Sequence, residues 1–172
     1  SSITSAAATQ SFPNFPHLDG SNFIFLNECS GSAFYPVSYY FRRQPGDMTL
    51  GVTIGPMLPA PNIIQPTTVF TGVLQWTLAP GPAADIHQVQ ILKPTPAGSV
   101  SVWTVVLPGS ETQVVLPAPA VQKLRNEETG PLYVVIYSSR SPKFAYNQWT
   151  YDTLSGVSWS SFTIALSAGF TP

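Results

Sequence analysis

Charge is the scarcest commodity in this chain: 172 residues hold seven Lys or Arg and eight Asp or Glu. An ordinary globular domain is about one-quarter charged. With a net charge of -1 and a pI near 6.0, the protein has no field to attract a polyanion. Neutralising several phosphates takes clustered Lys and Arg, and only Arg42 and Arg43 are adjacent here. We therefore expect no nucleic-acid binding. The same neutrality removes the repulsion that keeps soluble proteins apart, which favours association.

Other absences narrow the choice further. Cys29 is the only cysteine, so no intrachain disulfide can form. We expect it to be a buried, inert thiol, with an intermolecular bridge as the alternative. The triplet Asn27-Glu28-Cys29 fits only the rare Cys form of a glycosylation acceptor. No apolar run approaches the roughly 20 residues of a membrane helix, so we expect no membrane-spanning segment. The chain opens SSITSAAATQS, without a basic leader or an initiator Met. From that opening we expect a processed product or a piece of a longer precursor. Gly-rich phosphate loops and an Arg-Gly-Asp triplet are also missing.

What the chain has instead is Pro, Ser, Thr, Gln and rings: 18 Pro, ten Phe, seven Tyr and four Trp. Short runs of Val, Ile, Thr, Tyr and Phe alternate with Pro and Gly, which reads as strands and turns. The sequence predicts strands over 22–26 and 33–43, a turn at Gln44-Pro45-Gly46-Asp47, and a returning strand over 48–54. Residues 55–66 hold four prolines, which favours an extended path and marks a domain boundary. Strands then follow at 73–78, 86–92, 101–107, 112–116, 132–138 and 158–166. In the second of these, Ile86, Gln88, Gln90 and Leu92 face one way and His87, Val89 and Ile91 the other. Residues 118–128 predict a loop with a helical turn, and 144–151 a loop or irregular strand. Regular strand spacing without intervening helices indicates an all-β, antiparallel β-sandwich. We expect a smaller N-terminal arm and β-region over 1–58 and the sandwich over 59–172.

Within 60–168 several runs resemble a fibronectin type III-like or immunoglobulin-like β-sandwich module of bacterial surface and lipoprotein type. Leu74-Gln75-Trp76 is similar to that family's second-strand Trp. Ala79-Pro80-Gly81-Pro82 followed by 86–91 resembles the opening of its third strand. Trp103-Thr104-Val105-Val106 with Leu107-Pro108-Gly109 resembles the fourth strand and turn. Thr112 to Leu116 is similar to the strand before the long loop, and Leu132 to Ser138 to the Tyr-bearing strand near the end. The 120–131 and 139–157 segments are longer than the family pattern. The resemblance implies a fold and says little about function, because many functions share such sandwiches.

Candidate chemistry is sparse. His17 lies two residues from Asp19, and His87 two from Asp85. Such pairs can orient a proton shuttle or hold a metal. Neither has a nucleophile motif beside it, and zinc needs three or four ligands. Glu127, Glu128 and Asp152 could supply the two carboxyls of glycoside hydrolysis only if held across a cleft, and the Glu pair lies in the most polar segment. We expect no enzyme activity, no metal and no cofactor.

The rings are in excess of one core. Tyr39 and Tyr40 share a strand, while Tyr146, Trp149 and Tyr151 crowd a late loop with Asn147 and Gln148 between them. Flat rings with amides stack on sugars or anchor protein interfaces. The alternative is that they cover an open end of the sandwich. The Ser/Ala/Thr-rich start, with Ser2, Ile3, Thr4, Ala6 and Ala8, suits an arm that adds a strand to a neighbour's sheet edge. We thus expect an extracellular or cell-surface structural protein. Its partners would be copies of itself, in a filament or layer, with polysaccharide binding or adhesion as the alternative.

Overall fold

The structure is a computed structural model and describes residues 22–30, 36–45, 57–141, 144–148, 150 and 159–172. Among the described residues nine strands and one α-helix follow in order: β1 (Asn22–Ser30), β2 (Val37–Pro45), β3 (Asn62–Gln65), β4 (Val73–Thr77), β5 (Ile86–Thr95), β6 (Gly98–Pro108), β7 (Gln113–Val115), α1 (Ala118–Glu127), β8 (Tyr133–Arg140) and β9 (Ser161–Leu166). They form two antiparallel sheets, one of six strands in the order β1-β2-β9-β8-β5-β6 and one of three in the order β3-β4-β7. The protein is an all-β sandwich, as its strand spacing predicts.

The alternation in β5 decides which face is which. His87, Val89 and Ile91 are buried, and Val134 and Ile136 of β8 join the latter two against Leu74 and Trp76 of β4. Phe70 and Phe170 close one end of this core, with ring centroids 5.5 Å apart. Backbone bonds in both directions between Leu132 and Phe170 hold the C-terminal segment there. The opposite face of the large sheet is also apolar. Val37, Ile86 and Val135 are buried on it, with Tyr39, Tyr137, Phe162 and Ile164 half-buried.

Two expectations need correction. Within 118–128, Ala118–Glu127 form a ten-residue helix rather than a loop with one turn. Ala, Gln, Lys, Leu and Arg are good helix formers, and Val121 and Leu124, three apart, fall on one face that enters the core. Pro119 lies in the first turn, where a missing N–H disrupts nothing. Tertiary burial thus stabilises a helix that local propensity alone leaves marginal. The second correction concerns β2, which runs through Gln44 and Pro45 where a turn was expected, because Asn22 and Phe23 of β1 pair with them. Pro45 is the strand's last residue, a position where its missing N–H is tolerated. The predicted strand 48–54 lies outside the described residues. Pairing also crosses the expected boundary at 58 and 59, since Val37 to Tyr40 of β2 pair with Ser161 to Ile164 of β9.

Candidate functional site

His87 is the one histidine among the described residues, and it is fully buried. Its Nε2 lies 3.0 Å from the Gly109 carbonyl, which can only accept, so the proton sits on Nε2. Nδ1, 2.8 Å from Ser138 Oγ, therefore accepts from the hydroxyl. Trp76 meets the imidazole edge-on with centroids 5.7 Å apart. Burial lowers the His87 pKa below its ordinary 6.5, and the Gly109 bond opposes that only in part. The ring is a neutral, fixed tautomer.

The sequence pairs His87 with Asp85, but the structure separates their roles. Asp85 Oδ2 accepts from the Ser141 N–H at 2.7 Å. The Ser138–His87 contact resembles a nucleophile–base pair, yet no carboxylate orients the base, and Ser138 is 1% exposed. A cavity of about 280 Å³ lies beside the pair, walled by Leu58, Pro59, Leu78 and the Pro80-Gly81-Pro82 turn. His87 and Ser138 turn their polar atoms to each other and to Gly109. Across the large sheet the polar row continues through Thr163 and Ser38, and Ser38 Oγ donates to the Leu58 carbonyl at 3.0 Å. The hydrogen bonds join His87 to Ser138 and Gly109 in a buried seam placed by the inward face of β5, while Thr163 Oγ1 is buried without a partner among the described residues.

The remaining candidates scatter. Glu127 lies 3.9 Å from Lys123 on the exposed helix face, while Glu128 pairs with Lys93 of β5 at 2.7 Å. The Lys93–Glu128 contact misses hydrogen-bond geometry at Oε2 and is a plain ion pair. Among the described residues no three His, Cys, Asp or Glu gather in a way that could hold a metal. His17, Asp19 and Asp152 lie outside the described residues.

The rings divide into two groups. Tyr39 stacks on Phe162 with centroids 4.5 Å apart, on the outer face of the large sheet. Tyr40, its neighbour in β2, faces the other way opposite Ser161. Beyond β8, Phe144 packs on Trp159 at 5.5 Å and meets Tyr146 edge-on at 6.4 Å. Tyr146 opens a 3-10 turn, Tyr146–Gln148, and is 37% exposed with Asn147 and Gln148 exposed beside it. Trp149 and Tyr151 lie outside the described residues, as do Ser2, Ile3, Thr4, Ala6 and Ala8 of the arm.

Sequence reasoning alone did not find the sheet margin. Among the described residues the large sheet ends at β1 and β6, and the small one at β3 and β7. β7 is three residues long, β3 is four with a register shift, and β1 carries Glu28. β6 is 11 residues, GSVSVWTVVLP, without a single charge. Natural edge strands are usually blunted by Lys, Pro or a bulge. β6 has a bulge at Val102, where Trp103 pairs with Ile91 but Ser101 with Leu92, and Pro108 at its end. Between them Trp103 to Leu107 pairs in unbroken register with β5. The signal for this edge was the charge-free run itself, but which strand is marginal depends on topology. Set beside known proteins, the chain matches no family model, no curated protein and no solved structure.

Proposed function

We propose that this protein is a non-enzymatic, extracellular structural module that packs against copies of itself in a surface filament or layer. The observation that carries the reading is the margin of the six-stranded sheet, where β6 offers a long, uncharged edge. An unpaired edge is a template for another strand, and strand addition draws its affinity from backbone bonds. Scarce charge leaves little to repel a second copy. In this reading Ser2, Ile3, Thr4, Ala6 and Ala8 act as a strand-donating arm toward a neighbour. The fibronectin type III-like frame is part of the proposal. It is supported by the split of β3 to β9 into three strands and four, with Trp76 on the second strand, Trp103 on the fourth and Tyr133 and Tyr137 on the sixth. Light scattering after size exclusion tests the reading: we expect species larger than the 18.5 kDa chain. A protein that stays monomeric at every concentration refutes it, and deletion of residues 1–11 reports whether the arm contributes.

A second reading, a carbohydrate-binding or adhesion module, is favoured by one observation. Tyr146 is exposed beside two amide side chains and meets Phe144, which in turn packs on Trp159. Sugars stack on such rings while amides bond to their hydroxyls. Calorimetric titration with polysaccharides should show binding that Tyr146→Ala and Trp149→Ala each weaken; unchanged affinity in both dismisses the site.

A further inference from the structure

Hydrogen-bond parity can be followed across the large sheet. The Ser167 N–H donates to the Val134 carbonyl at 2.9 Å, and Phe170 and Leu132 bond mutually. Backbone groups alternate sides along an antiparallel strand. Val134, Ile136 and Ser138 therefore turn theirs toward β9, and Val135 and Tyr137 toward β5. Their β5 partners, Gln90 and Gln88, face back to β8, so His87, Val89 and Ile91 face β6. They meet Leu107, Val105 and Trp103. The bond from Gly109 N–H to the Asp85 carbonyl keeps the same parity. Thr104 and Val106 are left with N–H and C=O directed away from the sheet.

The stretch of unbroken register has a centre. The Val102 bulge bounds it on one side and Pro108 on the other, so its midpoint is Val105. Trp103, Val105 and Leu107 point to the core side, where they pack on the core yet are only partly buried. A row of apolar side chains half-covered at a sheet margin is completed by one more apolar strand. β6 is itself such a strand, and it is self-complementary about Val105.

Building on the assembly reading, we propose that β6 pairs antiparallel with β6 of a second copy, about a two-fold axis at Val105. Thr104 N–H and C=O bond to Val106 of the other copy, and the reverse, which gives four bonds from the outward groups. Val105 faces its own counterpart, and Trp103 faces Leu107. An aromatic–aliphatic pair across strands is a favoured contact. No charge on either strand opposes it. The two six-stranded sheets become one continuous sheet, and the contact is isologous, so it closes at a dimer. Any filament then grows from dimers through another surface.

Three variants test this by light scattering and sedimentation. Thr104→Pro removes an outward N–H while leaving the β5 ladder intact; it should weaken the dimer at least about tenfold. Thr104→Lys keeps the backbone and brings two like charges to diagonal positions on one face, with the same expected loss. Circular dichroism must show both folded; if Pro unsettles the strand, Lys decides. Val105→Cys in a Cys29→Ser background should crosslink to a dimer on oxidation, because such facing residues lie about 4.5 Å apart at Cα. Deleting residues 1–11 should leave this dimer in place. A dimer that survives Thr104→Lys, or that Val105→Cys does not crosslink, overturns the β6 pairing and leaves the assembly reading standing. A wild-type chain that never associates overturns both.

Discussion

His87 should make the fold sensitive to mild acid. In the folded protein its Nε2–H donates to Gly109 and its Nδ1 accepts from Ser138, and burial lowers its pKa. The unfolded chain carries an ordinary imidazole near 6.5. The sign follows from proton counts: below about 6.5 the unfolded state binds a proton that the folded state refuses, so acid favours unfolding. The contribution is fully present above the unfolded pKa. It is lost as pH falls from there toward the lowered folded value. The loss from this one group between pH 7.5 and pH 5.5 has a ceiling of about 1.4 kcal/mol, reached when the native state takes up no proton at all. Urea titrations at the two pH values, followed by Trp fluorescence, would measure it. His87→Gln stays neutral at both, so its loss should be smaller, by no more than that amount. His17 and the carboxylates are common to both proteins and cancel in the comparison. Equal losses in wild type and His87→Gln would refute the buried neutral tautomer.

Further outcomes follow from the same seam and its surroundings. Thr163 Oγ1 is buried without a hydrogen-bond partner among the described residues, so Thr163→Val should be neutral or stabilise by up to about 1 kcal/mol, read as a thermal shift. A Cβ at Gly109 would drive into the Ala84 carbonyl; Gly109→Ala should cost about 1–3 kcal/mol and steepen the loss in acid, because weakening the Gly109 bond removes the contact that raises the His87 pKa.

Legibility in the sequence followed how local the cause was. The β5 alternation put His87, Val89 and Ile91 on one face before any partner was known, and the burial agrees. The 132–138 strand is legible for the same reason, as a β-branched run that needs no context. Helix α1 was hidden because its stability comes from Val121 and Leu124 reaching a core assembled by distant strands. The turn expected at Gln44 followed sound local chemistry, and β1 overrode it by pairing through Pro45. Sequence spacing pairs His87 with Asp85, two residues away in the chain. Its real partners, Ser138 and Gly109, lie 51 and 22 residues away, and nothing in the local sequence names them. The β6 margin was invisible for the same reason, since an edge is a property of order among strands.

The pairing of β2 with β9 sets a schedule for synthesis. One of the earliest hairpins in the chain finds its neighbour only in the last strand, with Tyr40 opposite Ser161. At ribosomal speed that gap is on the order of ten seconds. Throughout that wait the inner side of β2 has no mate, and its long loop must close before docking returns any free energy. A nascent chain of this kind offers a free strand just when neighbouring copies are most crowded, so fidelity rests on β9 arriving before another molecule does.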